Sequence, residues 1–502
     1  MMRPNIKYKK APMQEQNYQE RNLDPQDWDS LRTLGHQMVD DTLEYLQQIR
    51  EKPVWKPISQ EVKDFFAQPV PENPEGEERA YQDFKDYVLS NPMGNIHPRF
   101  WGWVMGNGIP YANLTEMLAA TVNPNLGGGD HVANYVERQV VDWCKEILGF
   151  PPESSGILVS GGSMANFIGL AVARNAMADY DIRSKGVGAA TCPMTVYAST
   201  ETHSSNYKAI EQLGLGKKWM RFITVNEYNE IDIEVLEEKI KEDQAAGYQP
   251  ICIIGHAGTV NTGAIDDLNA MADICQRENI WFHIDGAFGA FTVLSKKYGH
   301  LVAGMDRADS LAFDLHKWMY MPFEVACILI RDFEDHVRAF SVSPDYLSHM
   351  SRGLAGGQHA WFGDLGLQLT RGFKALKVWM TIKAYGLDHF RSQIEQDIEH
   401  AKYLANLVRS HSNMELLDNV PLNIVCFRYT TPGMSNADLD HLNQEVLLRL
   451  HERGLAAPSY TRLHDKFALR VSITNHRSTR RDFKFLVEKV VEIAEEVVVE
   501  MR

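Results

Sequence analysis

The sequence predicts an α/β protein, with a large domain built on a mainly parallel sheet and a small α/β domain at the C-terminal end. Three observations predict it. At 502 residues the chain exceeds the size at which one hydrophobic core stops growing. From about residue 110, short apolar β-branched runs alternate with helical stretches. Most of those runs lack polar alternation, the pattern of parallel strands covered on both faces.

Residues 1 to about 22 are polar and predict no element of their own. Asp24-Pro25 then opens a helix in which Trp28, Leu31, Leu34, Met38, Val39, Leu43 and Leu46 recur at three- and four-residue steps. That single apolar stripe requires a surface to cover it. Pro53, Pro57, Pro69, Pro71 and Pro74 make residues 53 to about 80 a wrapping connector. The strand candidates of the large domain are Thr195–Ser199, Ile251–Ile254, Ile280–Ile284, Ser310–Phe313 and Val325–Ile330. After about residue 387 the order is helix, strand (Asn423–Tyr429), helix, strand (Ala468–Thr474), helix. The expected organisation is 1–109 as an N-terminal helical segment, 110–387 as the large domain and 388–502 as the small one.

Composition excludes several function classes. A formal charge of -15 repels phosphate backbones and anionic lipid, and no Lys/Arg cluster stands against it. Nucleic acid and membrane surfaces are therefore not expected partners. No stretch reaches the roughly 18 apolar residues of a membrane span, and no apolar run follows the charged N-terminus. The six cysteines form no C-x-x-C pair and read as buried thiols in a reducing compartment, so a cytoplasmic protein without a metal is expected.

In open α/β sheets a ligand sits beyond the carboxyl ends of the strands. His203 follows the first predicted strand, Thr259 the second, Asp285 closes the third, and His316-Lys317 follows the fourth. Lys317, in Phe313-Asp314-Leu315-His316-Lys317-Trp318, is an amine with apolar flanks that favour its neutral form and imine formation. Asp285, at the end of an apolar run, places a carboxylate where it can keep a pyridine nitrogen protonated. Ser160-Gly161-Gly162-Ser163 precedes a helix, so backbone N–H groups and a hydroxyl can converge on a phosphate. The run fits neither G-x-G-x-x-G nor the P-loop. His203 can offer a flat face to a cofactor ring. Each residue alone has an ordinary structural explanation; their ordered set does not.

That set resembles the group II decarboxylases that depend on pyridoxal 5′-phosphate (PLP). Ser160 to Asn166, Thr202-His203-Ser204-Ser205, Ala257 to Gly263, His283-Ile284-Asp285-Gly286-Ala287 and His316-Lys317-Trp318 stand in that family's order. The similarity is greatest to the aromatic-L-amino-acid decarboxylases, bacterial tryptophan decarboxylases included. It extends from Leu23 to the C-terminus, through His97-Pro98-Arg99-Phe100 and Leu469-Arg470-Val471.

The resemblance implies a fold-type I PLP-dependent transferase fold with a seven-stranded sheet. It also implies a homodimer with active sites at the interface, across which the N-terminal segment packs. It makes Lys317 the Schiff-base lysine, Asp285 the pyridine partner and His203 the residue stacked on the ring, with Thr259 and Ala287 close to the cofactor. Gly162, Ser163, Asp314 and His316 would line the phosphate pocket. Many relatives carry Asn at the position of Asp314; an anion repels a phosphate, so Asp314 is expected to point away. Tyr346 matches the tyrosine that donates a proton to Cα, next to a glycine-rich stretch from Ser351 to Gly363. Phe100, Trp101 and Trp103 occupy the segment that lines the substrate pocket and favour an aromatic L-amino acid. The alternatives are an acidic amino acid, for which Arg99 is the candidate anchor, an aromatic aldehyde synthase, an aminotransferase, and a silent binding protein that should have lost Lys317 or Asp285.

Overall fold

The computed structural model describes residues 22–342, 350, 352–356 and 360–502. Its strands are β1 (Phe100–Trp101), β2 (Ser155–Val159), β3 (Met194–Ser199), β4 (Met220–Ile223), β5 (Gln249–His256), β6 (Trp281–Asp285), β7 (Ser310–Asp314), β8 (Ala326–Ile330), β9 (Met414–Leu416), β10 (Ile424–Tyr429), β11 (Ala457–Leu463) and β12 (Lys466–Ser472). A seven-stranded sheet has the order β2-β8-β7-β6-β5-β3-β4, and a five-stranded sheet the order β1-β11-β12-β10-β9.

All five strand candidates of the large domain are strands, and β3 to β7 pair in parallel. β8 runs antiparallel to both β7 and β2. The connection 315–325 holds only the one-turn helix Leu315–Trp318, too short for the crossover of a dozen or more residues that a parallel pair needs. Because β8 opposes both neighbours, β2 runs with β7. The carboxyl ends of β2, β3, β5, β6 and β7 therefore share one edge. Apolar side chains on both faces anchor that edge: Ile254, Ile284, Leu311 and Phe313 are wholly buried, each contributing about 1.5–3 kcal/mol.

The N-terminal helix spans Trp28–Gln47, starting later than Asp24-Pro25 suggests. Asp27 sets the start, its carboxylate accepting the backbone N–H groups of Asp29 at 2.9 Å and Ser30 at 3.1 Å. Leu34 in the stripe is buried, while Trp28, Leu31 and Met38 stay exposed. The connector carries two short helices, Gln60–Phe65 and Glu77–Asp83.

Towards the C-terminus the helical run Lys374–Ser410 breaks at Gly386, where φ is +70°. Helices Asn436–Glu452 and Arg480–Glu500, each opened by a capping box, pack on the smaller sheet. β1 joins that sheet in parallel with β11, Phe100 opposite Ala457. No helix of the described residues is long and apolar enough to cross a membrane. The six cysteines are unpaired, and all but Cys192 are buried.

Candidate active site

The shared carboxyl edge opens on a cavity of about 630 Å³. The turn after β2 forms one wall, with Ser160, Gly161, Gly162 and Ser163 at the N-terminus of helix Gly162–Met177. Unsatisfied N–H groups and the positive end of a four-turn helix thus point into the space. Gly106 packs against the turn bearing Lys317: a Cβ there would stand 1.7 Å from the His316 carbonyl oxygen, so only glycine permits this approach.

Asp285 ends β6 with its side chain buried at the cavity. Its Oδ2 accepts from Asn166 Nδ2 at 2.8 Å and Asn206 Nδ2 at 3.0 Å, and its Oδ1 from the backbone N–H of Ala287 at 3.2 Å. Burial alone would raise its pKa. Opposing positive fields, that of His256 the largest and that of Lys317 among them, outweigh that and hold it below the ordinary carboxylate value. A buried acid kept anionic at a cavity wall can hold a proton on a base placed before it.

Lys317 lies on the one-turn helix after β7, with Nζ 2.8 Å from Asp314 Oδ2. Asp314 lines the cavity with the lysine. This corrects the expectation that its carboxylate points away: β7 ends there, the side chain is buried toward the cavity, and the lysine three residues later neutralises it. A Cβ on Gly162 would stand 3.0 Å from Asp314 Oδ2, and Asp314 Oδ1 is buried with no hydrogen-bond partner. His316 lines the same wall, its Nδ1 hydrogen-bonded with the Val325 carbonyl at 2.8 Å and its ring against Phe323.

His203 caps helix Ser204–Gln212, its Nδ1 accepting the Ser205 N–H at 3.2 Å. An accepting nitrogen carries no hydrogen, so the ring is neutral with its proton on Nε2. Burial, the largest influence, lowers its pKa in the same sense. Gly258 and Val260 line the cavity, whereas the Thr259 hydroxyl between them turns to Thr262 at 3.1 Å.

Of the three predicted pocket aromatics only Trp103 lines the cavity, together with Val104, Phe288 and Phe323. Trp101 is buried against Phe483, its indole N–H donating to Ser478 Oγ at 3.0 Å. Phe100 packs with Val54 and Ala457. Both belong to β1 and are drawn into the core beside the small sheet, and Trp103 escapes because it follows the strand with φ +52°. The Arg99 guanidinium lies over the Phe485 ring at 4.5 Å and does not line the cavity. Tyr346 lies outside the described residues.

Asn166, Asn206 and His256 were not singled out from sequence. Asn166 lies in the run Ser160 to Asn166, where it reads as an ordinary helix residue. Asn206 is three residues after His203 on one helix face. His256 ends an apolar run, where a histidine resembles a satisfied core residue.

The residues present fit PLP. A glycine-lined helix N-terminus suits a phosphate, Asp285 suits a protonated pyridine, and Lys317 presents an amine to the same space. The conserved domain of pyridoxal-dependent decarboxylases matches residues 60–430. The aromatic-L-amino-acid decarboxylase of Bacillus atrophaeus is 32% identical over 93% of this chain and 96% of its own length. Tryptophan decarboxylase 2 of Oryza sativa subsp. japonica is 26% identical over 94% of this chain and 96% of its own. The crystal structure of Oryza sativa TDC with PLP and tryptamine superposes with a TM-score of 0.87 at 23% identity, covering 95% of this chain and all of that one.

Proposed function

The chain belongs to the pyridoxal-dependent decarboxylase family and is a PLP-dependent carboxy-lyase, and from that premise we propose that it converts an aromatic L-amino acid to the arylalkylamine and CO2. The observation that carries the substrate class is the composition of the cavity: Trp103, Val104, Phe288 and Phe323 line it, and no arginine does among the described residues. Aromatic and aliphatic walls suit a ring. An acidic substrate needs a cation for its distal carboxylate, and Arg99, the candidate, is engaged with Phe485.

When bound, PLP supplies an electron sink for the pair left on Cα as CO2 departs. Lys317 is its covalent anchor through Nζ. The N–H groups of Gly162 and Ser163, with the Ser163 hydroxyl, take the phosphate, with His316 beside them. Asp285 holds the proton at the ring nitrogen, fixed by Asn166 and Asn206. His203 would present its ring face with Nε2–H available to donate and Ala287 would lie beside the ring, while Thr259, its hydroxyl turned to Thr262, would contribute only through the turn that carries Gly258 and Val260. Tyr346, by its place in the family's pattern, delivers the proton to Cα.

The active unit is a homodimer with the site at the interface. Supporting this, Trp28, Leu31 and Met38 leave the apolar stripe of helix Trp28–Gln47 exposed within one chain. Deletion of residues 1–50 should give monomer or aggregate by light scattering, and a fully active truncated dimer would refute it. The unpaired cysteines suit the cytoplasm, and of the proposed division into 1–109, 110–387 and 388–502 the break at Gly386 supports the second boundary. The deciding experiment is an amine-release screen over the common L-amino acids. Turnover of tryptophan, tyrosine, phenylalanine or dihydroxyphenylalanine is expected; turnover confined to glutamate or aspartate would overturn the substrate class.

A further inference from the structure

A buried histidine that none of these roles uses stands beside Asp285. His256, the last residue of β5, is the register partner of Asp285 on β6, so both side chains leave the sheet on one face, and both line the cavity. His256 Nδ1 hydrogen-bonds with Asp266 Oδ2 at 2.9 Å, and the same oxygen accepts the His256 backbone N–H at 2.9 Å. On the other edge of the ring, Nε2 meets Thr202 Oγ1 at 2.8 Å. Asn206 Nδ2 reaches that hydroxyl at 3.0 Å and Asp285 Oδ2 at 3.0 Å, which commits its two hydrogens. A continuous buried chain thus runs from Asp266 through His256, Thr202 and Asn206 to Asp285.

We propose that His256 is a positioning residue: clamped by Asp266, it is a buried imidazolium that keeps Asp285 anionic and Asn206 aimed at it, and so keeps the cofactor's pyridine nitrogen protonated. The inference rests on Asp285 facing the cofactor ring. The charged and titratable groups around His256 are Asp266 beyond β5, Asp285 and His283 on β6, and Glu201 and His203 in the connection after β3. Burial disfavours the cation; the bond to Asp266, then the fields of Asp266, Asp285 and Glu201, overcome it and raise the pKa of His256. His203 and His283 do not compete for the charge, because burial lowers both, His283 to about 4. His256 in turn is the largest of the fields that hold Asp285 ionised.

The test uses holoenzyme reconstituted with PLP carrying ¹⁵N at the ring nitrogen. His256→Asn and Asp285→Asn are compared by the nitrogen's chemical shift and by the PLP dissociation constant. In His256→Asn the shift should move to the unprotonated position and the dissociation constant rise roughly tenfold, the size of one pKa unit. Asp285→Asn should do the same or more. If Asp285→Asn leaves the nitrogen protonated, the reading of the site fails. If Asp285→Asn deprotonates it and His256→Asn does not, only the role of His256 is overturned. Should His256→Asn fail to fold, wild-type enzyme with ¹⁵N-imidazole histidine decides. At about pH 8, where ordinary histidines are neutral, one imidazolium signal is expected, and an entirely neutral set would overturn the proposal.

Discussion

Lys317 Nζ lies 2.8 Å from Asp314 Oδ2, while the other oxygen of that carboxylate is buried without a hydrogen-bond partner. The amine proposed to anchor the cofactor is therefore shared with an acid in the same cavity as the glycine-lined turn. Asp314→Asn removes that competition and one negative charge beside Gly162, where the phosphate is proposed to bind. PLP should bind roughly fivefold more tightly, as expected for one charge contact worth about 1 kcal/mol. Fluorescence titration of the apoenzyme with PLP measures this; weaker binding by the variant would assign Asp314 a supporting role instead.

Lys317→Ala should retain the fold and bind PLP only non-covalently. Wild-type enzyme treated with borohydride should carry the cofactor's mass on the peptide containing Lys317, and the variant should carry none. Turnover should fall by at least roughly 10³-fold. A cofactor label on any other lysine would refute the assignment.

Trp103 lines the cavity yet remains 59% exposed, so its indole is free to meet a ligand there. Trp103→Ala should raise KM for the preferred aromatic substrate about five- to tenfold, in keeping with an aromatic contact of about 1 kcal/mol. It should change kcat less. Steady-state kinetics separates the two, and an unaltered KM would remove Trp103 from the substrate contacts.

Tyr346→Phe keeps the ring and removes the O–H. Amine formation should drop by roughly 10² to 10⁴-fold, the usual contribution of a positioned general acid. Oxygen and water then divert the reaction to aldehyde, ammonia, CO2 and hydrogen peroxide. The amine-to-aldehyde ratio under air and under nitrogen checks it, and wild-type amine output without peroxide would exclude Tyr346 as the donor.

Asp397, on the helical run after Gly386, is wholly buried and accepts from Trp318 Nε1 at 2.9 Å, Tyr320 O–H at 2.7 Å and Gln393 Nε2 at 3.2 Å. Burial pushes its pKa up to about 7 despite those bonds. The folded chain then keeps a proton that the unfolded chain releases near pH 4. Its contribution to stability is full below about pH 4 and is lost as the pH rises through about 7. Asp397→Asn carries no such titration, so its stability relative to wild type should improve by a few kcal/mol between those limits. Urea unfolding across that range measures it, and a constant difference would show that Asp397 is ionised throughout.

What the sequence disclosed follows from how strongly each element is patterned. β5 to β8 are each built on a short, mostly apolar run, and Asp285 closes β6 while Lys317 follows β7, whereas His256 at the end of β5 resembles a core residue. β2 was hidden because Gly156 interrupts a short run; a Cβ there would meet Leu329 and Val141 at 2.6 and 2.7 Å. β11 was hidden by its mixed polarity, and its turn into β12 uses His464 and Asp465 at positive φ rather than the Asn-Gly pair that signals a hairpin. Phe100, Trp101 and Trp103 are indistinguishable by residue type, and only the pairing of β1 with β11 decides which two are core. The chain from Asp266 to Asp285 joins residues on four separate segments, so no local pattern could reveal it.

The pairing of Phe100 with Ala457 also sets an order of events during synthesis. The ribosome adds about 350 residues between these partners, which at typical rates takes roughly 20 to 70 s. Throughout that interval the strand that completes the small sheet has no mate, and its buried Phe100 and Trp101 must be shielded by something else. Completion of this sheet is thus a late, non-local step of high loop-closure cost. Pulsed hydrogen exchange during refolding should find the Ala457 amide, which donates to the Arg99 carbonyl at 3.0 Å, among the last to be protected.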